Sequence, residues 1–424
     1  MMGHMMLGNT TALILAVICF GLSGVGQARA AMDLGNERLR VSGFGTLGLI
    51  KAGDDLLGYR RDMSKDGVFD GDVSFQTDSL LGLQFDARLT GEIDATLQMV
   101  AMDRVDNTLQ NSVEWAFVRY RPHRDWVIRG GRTGVDLFAL SDYRNVGFAY
   151  LWVRPPVEFY GPLAFDYIDG LDVTYSQALK AGRLQFKLFG GKAENVFTTK
   201  LGDNEVDLNP VLGFNLTWES DPWRARLGTV SVEMDSQIKP AQQLQVLLSN
   251  PSLAMAWPEA PEIAEALNPI GRSLYYYSGG ISYDAYPWLV QSELGFIDSD
   301  YDYFLPLLSA YLSVGRRLQS LTLYAVAAIA RNTEDRRQLP APSISTPAVD
   351  LLYRSTQEFY DRSPIDQHTL SLGVRWDLRE DLALKMQWDH HWVAAYGGGL
   401  WIQEQPLTED RELNTLSANL NFVF

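Results

Sequence analysis

Residues 413–424 read LNTLSANLNFVF. From Thr415 onward, Thr415, Ser417, Asn419 and Asn421 fall on one face of an extended strand, and Leu416, Ala418, Leu420, Phe422 and Phe424 fall on the other. A strand of a soluble sandwich rarely leaves two phenylalanines beside a terminus with nothing to cover them. A closed transmembrane barrel requires this pattern. Its last strand seals against its first, shows apolar residues to lipid and polar ones to an aqueous lumen, and leaves no backbone group unpaired.

The same alternation recurs upstream in about sixteen segments, most near the length of a tilted membrane strand. They begin with Leu39 to Lys51, Val73 to Leu89 and Glu92 to Asp103 and end with Leu413 to Phe424. In the second segment Leu81, Leu83, Phe85 and Ala87 oppose Gly82, Gln84, Asp86 and Arg88. In the fifteenth, Leu382, Leu384, Met386 and Trp388 oppose Lys385, Gln387 and Asp389. The thirteenth, Ser320 to Arg331, is apolar on both faces, with Leu323, Ala325 and Ala327 opposite Val326, Ala328 and Ala330. A two-sided strand of this kind packs against something inside, such as an inward loop, or against a neighbouring subunit.

The connections alternate long and short. Thr90-Gly91, Arg379-Glu380 and Ala285-Tyr286-Pro287 have turn chemistry, whereas 52–72, 133–168, 235–273, 332–366 and 394–412 are long. A membrane barrel sorts its loops in this way, with short turns at one rim and long loops at the other. The expected fold is therefore all-β, a transmembrane antiparallel barrel of about sixteen strands. The segment Pro240 to Leu267 reads either as a short rim helix or as an ordered loop.

The first thirty residues read differently. Thr11 to Val25 is continuously apolar or small, and Ala28-Arg29-Ala30 is a small-x-small cleavage pattern, so 1–30 is expected to be a secretory signal peptide and 31–424 the barrel. The single cysteine, Cys19, lies in that leader, which excludes disulfides, thiolate metal sites and a cysteine nucleophile from the barrel. Lys and Arg number 36 against 52 Asp and Glu, a formal charge of −16, which argues against a nucleic-acid partner.

The loop 133–168 is the expected functional element. It is long, and Tyr143, Phe148, Tyr150, Trp152, Phe159 and Tyr160 argue for order rather than disorder. Here the chain resembles the sixteen-stranded Gram-negative outer-membrane porins. Gly131-Arg132 is similar to the pair that leads into the porin constriction loop, and Pro156-Val157-Glu158-Phe159-Tyr160-Gly161 is a looser match to that loop's tip. The resemblance implies an inward-folded constriction loop after the fifth strand, with Arg132 in a basic wall cluster facing Glu158. It also implies a water-filled pore passing small hydrophilic solutes and ions by passive diffusion. The implied setting is a homotrimer in outer-membrane lipid and lipopolysaccharide, with Phe424 and Phe422 as the signal read by the barrel-assembly machinery.

Strand parity and the loop together give the remaining candidates. Arg129, Arg154, Arg144 and Asp142 join Arg132 and Glu158 at the constriction. Arg88, Asp86, Asp94, Lys187, Arg224 and Arg226 are candidates for the pore lining, where opposed charges would set up a transverse field. Asp54-Asp55 and the acidic run 298–302 are read as solvated loop acids rather than cation ligands. His123, His368, His390 and His391 have no serine or carboxylate in a recognisable catalytic arrangement, so no enzyme, cofactor or metal is expected. Two alternatives stay open: a substrate-selective porin binding a small anion or organic acid, and a structural or adhesive barrel.

Overall fold

A computed structural model describes residues 32–33 and 38–424, apart from 66, 70, 105–107, 164, 166, 200 and 201. The leader expected over 1–30 lies outside the described residues. Sixteen long strands follow one another round a single antiparallel sheet: β1 (Leu39–Ala52), β2 (Leu80–Arg88), β3 (Ile93–Met102), β4 (Val113–His123), β5 (Trp126–Gly134), β6 (Tyr167–Leu179), β7 (Gly182–Thr199), β8 (Gly202–Ser220), β9 (Trp223–Met234), β10 (Ser273–Ala285), β11 (Trp288–Ser299), β12 (Leu307–Leu318), β13 (Leu321–Asn332), β14 (Ile365–Arg379), β15 (Leu382–Gly398) and β16 (Arg411–Val423). Each pairs with the next, and β16 pairs with β1 from Phe44↔Val423 to Ala52↔Thr415, so the sheet is a closed barrel. The second segment is shorter than expected: apart from a two-residue strand at Val73–Ser74, pairing begins at Leu80.

The seam is built by close packing. Gly43 and Phe424 exchange both backbone hydrogen bonds at 2.8 and 2.9 Å. The rings of Phe424 and Phe422 lie over Gly43 and Gly45, where an added Cβ would come within 2.2 and 2.4 Å of them. These glycines are therefore a steric requirement of the closing aromatics.

Period-two alternation sorts the side chains as expected. On the outer face Leu171, Leu188, Leu212, Leu227, Leu294 and Leu416 are each more than half exposed. Aromatic pairs mark the short-turn rim, with Trp126 and Tyr175 rings 4.8 Å apart and Trp223 and Tyr283 likewise 4.8 Å apart. Such a belt suits rings that are apolar on one side and wet on the other. On the inner face Thr415, Ser417, Asn419 and Asn421 are all buried. Among the described residues no helix is long and apolar enough to cross a membrane.

The long loops fold over the barrel. The 235–273 connection carries two helices, α1 (Lys239–Leu248) and α2 (Ala260–Ala266), and the connection before β14 carries α3 (Pro347–Asp361), capped by Thr346 accepting from Val349 N. Trp257 is fully buried between these loops, its ring 5.5 Å from Tyr353 and its indole N–H donating to Pro340 O. The two-sided strand β13 finds its partner within the barrel: Tyr324, Val326, Ala328 and Ala330 are buried, and the helical turn Val157–Tyr160 packs on β12 and β13.

Candidate functional site

The segment 135–163 leaves β5 and crosses the lumen. Asp136 receives Lys187 from β7 at 2.9 Å and Arg226 from β9 at 2.7 Å, and its carbonyl accepts from Asn215 of β8. Ala139 N donates to Glu293 on β11 at 2.9 Å, and Trp152 Nε1 donates to Ser313 on β12 at 2.7 Å. On the far wall Lys385 of β15, fully buried, donates to the carbonyls of Gly147, Tyr150 and Trp152 at 2.5, 2.5 and 2.7 Å. Arg375 of β14 holds the carbonyls of Phe148 and Tyr150 at 2.8 and 2.9 Å. At Gly147 the backbone comes so close to the seam that a Cβ would meet Asn421 at 2.4 Å. Side-chain cations thus satisfy carbonyls that no ladder could reach.

Rings fix the rest. Phe138, Phe159, Tyr160, Tyr276 and Tyr311 form one cluster with centroid separations of 4.7 to 6.1 Å, and the hydroxyls of Tyr160 and Tyr311 both donate to Glu293. Such contacts add roughly 0.5–1.5 kcal/mol per aromatic pair beyond burial.

Because the segment hugs β7 to β16, the gap that remains lies on the other side. A tight constriction with only about 10 Å³ of free volume separates Ser141–Val146 of the crossing segment from Gln98, Glu114 and Trp115 of β3 and β4. On the long-loop side Arg104, Asn111 and Tyr167 line a space with about 280 Å³ of free volume. The ion pair of Arg104 with Glu114 links the two linings. On the short-turn side lies a space with about 500 Å³ of free volume, with Tyr143 on both linings. Asp142, exposed, and Arg144 stand on the segment side of the cleft, facing Glu114 on the wall. Arg61 braces the segment by donating to Arg144 O and Asn145 Oδ1.

The expected site residues separate into groups. Asp142 and Arg144 line the cleft. Arg129 is on the inner wall below it, 2.8 Å from Asp172 and with its guanidinium over the Phe117 ring. Asp94 is held by Arg119 and Arg121 at 2.7 and 2.6 Å, and Asp86 accepts from Gln84 and Thr96. Arg224 pairs with Glu219 at 3.2 Å, while Arg88 is exposed at the end of β2. These wall charges are interleaved and paired, so a cationic wall opposite an anionic loop does not describe the lumen.

Three residues are placed otherwise than expected. Arg132 lies on the outward register of β5, opposite Ala116 and Asp169, because Gly131 beside it follows the inward register of Arg129 and Phe117. There it forks onto Asp169 with two bonds of 2.9 Å and lies 3.6 Å from the Tyr167 ring centroid, compensated near the long-loop rim rather than facing the lumen. Glu158 is 2% exposed and accepts from Gln367 at 2.7 Å and from Thr369, so it bonds the segment to β14 and does not meet Arg132. Arg154 is 3% exposed and forks onto Asp78, with Nη1 donating to Tyr59 and Nη2 to Ser417.

Glu114, Arg104 and Lys385 were not anticipated at the site. Lys385 falls on the polar face of its segment, so parity alone could have placed it inward; Arg104, beyond the end of β3, leaves no such signal. Asp54 caps Leu56 N and Leu57 N at 2.8 Å, which accounts for one of the two acids at 54–55 within its own loop. His391 is buried on the inner face between Thr369 and Thr415 and against the Tyr59 and Trp401 rings. His368 stacks on Trp392, and His390 meets the same ring edge to face.

No family model matches this chain, and no curated protein is similar to it in sequence. Solved structures are similar in fold. OmpF of Salmonella typhi, in a complex with daunomycin, is 11% identical, covering 91% of this chain and 97% of its own, with a TM-score of 0.53. An anion-selective porin from Comamonas acidovorans is 13% identical, covering 91% of this chain and all of its own, with a TM-score of 0.51. The chain therefore has the fold of the Gram-negative outer-membrane porins.

Proposed function

We propose that this protein is an outer-membrane channel that passes small hydrophilic solutes and ions by passive diffusion. The observation that carries this reading is the closed barrel whose lumen is crossed by one segment, leaving a charged constriction between Ser141–Val146 and the β3–β4 wall. A constriction set between charged side chains selects polar solutes by size and field and disfavours apolar ones. In this reading the short turns face the periplasm and the helix-bearing loops face outward. The leader 1–30 serves secretion, Phe424 serves assembly, and three copies associate in lipid and lipopolysaccharide. The channel needs no cofactor and performs no covalent chemistry.

Planar-bilayer recording tests it. Ohmic single-channel steps with a reversal potential set by the salt gradient are expected. Absence of conductance in a correctly folded barrel would leave the structural or adhesive role. Saturable block by one solute class would instead make the pore substrate-selective.

A further inference from the structure

The barrel holds a second chamber, separate from the charged cleft. It offers about 170 Å³ of free volume on the long-loop side of the crossing segment, with Ile238 and Pro240 at the start of α1 and Phe359 of α3 over it. Its wall is apolar: Leu163, Leu208, Met234, Ile297, Leu307 and Ile365 all line it and all are buried. An apolar chamber within a lumen otherwise lined by charge and hydroxyls is unexpected for a path that serves only hydrophilic solutes. Concave apolar chambers with a few convergent polar groups are the usual form of small-molecule sites.

Those polar groups are present at one end. Arg362 donates through Nη1 to Gln403 O at 2.7 Å and pairs through Nη2 with Glu358 at 2.6 Å. Its Nε, however, is buried with no hydrogen-bond partner, and Gln403 Oε1 beside it is likewise buried and unpartnered. Arg60, 4% exposed, lines the same end, its guanidinium donating to Leu400 O and Gly399 O at 2.9 and 3.1 Å. One unmet donor on the Arg362 guanidinium and one unmet acceptor on Gln403, with the Arg60 guanidinium at the same end, suit an anionic head that carries a hydroxyl. We infer that this chamber binds an amphipathic hydroxy acid. Its hydrocarbon part fills the apolar wall, its carboxylate accepts from Arg362 Nε, and its hydroxyl donates to Gln403 Oε1.

Titration calorimetry of the detergent-folded barrel with 3-hydroxyoctanoate tests the site, with 1-octanol as the uncharged control and protein-free micelles subtracted. Saturable binding of one equivalent is expected, at least tenfold tighter than octanol. Arg362→Gln should bring the two ligands to within about threefold, since the charge-assisted contact is lost. Leu307→Trp should abolish binding of both by filling the chamber, and Met234→Phe serves the same purpose should the larger change prevent folding. Equal affinity for acid and alcohol, or binding unaffected by both Arg362→Gln and a folded chamber-filling variant, overturns the proposal. The result is independent of the conductance reading: a barrel that conducts but does not bind rejects this chamber alone, and one that binds but does not conduct rejects the channel alone.

Discussion

Lys385 Nζ lies 2.5 Å from Tyr150 O, and this contact joins the barrel wall to the segment that crosses it. The ammonium is fully buried and donates to the carbonyls of Gly147, Tyr150 and Trp152. Wall and crossing segment are thus bonded at the turn where the segment doubles back toward β12 and β13. The position of the segment, and with it the width of the cleft at Asp142 and Arg144, depends on contacts of this kind on the wall opposite the cleft.

Replacing Lys385 by Met keeps the length of the side chain and removes all three donors. Tyr150 O keeps Arg375, but Gly147 O and Trp152 O are stranded, each at a cost of about 1–3 kcal/mol when buried, so the segment should leave its seat. Single-channel recordings should show a larger and noisier conductance than wild type, and limited proteolysis should cut within 141–150. An unchanged conductance with an uncut segment would show that Arg375 and the aromatic cluster hold it without Lys385.

Arg154 and Asp78 form the second anchor, both 3% or less exposed and forked together at 3.0 and 2.5 Å. Removing one partner of a buried pair typically costs about 3–5 kcal/mol because the other charge stays behind. Arg154→Met and Asp78→Asn should each lower the temperature at which the barrel loses its folded mobility on gels. The double variant should lose less than the sum of the two. Strict additivity would mean that the pair is not coupled.

Ion preference should follow the cleft rather than the loop tip. Asp142→Lys and Arg144→Glu are expected to shift the zero-current potential in a salt gradient in opposite directions, toward anions and toward cations respectively. Glu158→Gln should leave it within error, since that carboxylate is spent on Gln367 and Thr369. A shift with Glu158→Gln matching those of the cleft variants would return Glu158 to the ion path.

The barrel was legible because its signals are local and repeated: two-residue alternation, turn chemistry, and loops sorted by parity all operate within one strand or its neighbour. Even the inward segment left a trace, in the second apolar face of β13. The site was less legible because it depends on which wall the segment leans against. Arg132 and Glu158 read as facing charges with Arg154 beside them at the constriction, yet Glu158 and Arg154 are both consumed in seating the segment, since a charge buried against a wall is retained only with partners. Arg132 was displaced by a single-residue register, the smallest error that moves a side chain from lumen to outer face.

The seam offers a test of assembly. Gly45→Val would place side-chain carbon where the Phe422 ring now lies, within 2.4 Å of the position a Cβ takes. The clash falls on the pairing that closes the barrel, so refolding yield into detergent should drop severely. Gly91→Ala, at a position with nothing within 4 Å of a Cβ, should refold as wild type. Equal yields from the two variants would mean that the ring swings away and that the glycines are not needed for closure.

A buried lysine in the loop joining β1 to β2 gives the proposed conductance a pH test. Burial pushes the Lys65 ammonium down to about 8, against the pull of Asp62, and its Nζ donates to Asp103 O at 2.8 Å, close to Arg104 and Glu114. The folded value lies below that of a free lysine, so the folded form releases its proton first. Between pH 8 and the ordinary lysine range the unfolded chain holds more protons, and stability rises with pH across that window. In the same window a positive charge disappears beside the cleft. The zero-current potential should therefore move toward cation preference with a midpoint near pH 8, and Lys65→Met should show the high-pH value throughout. A midpoint that persists in Lys65→Met would assign the titration to another group.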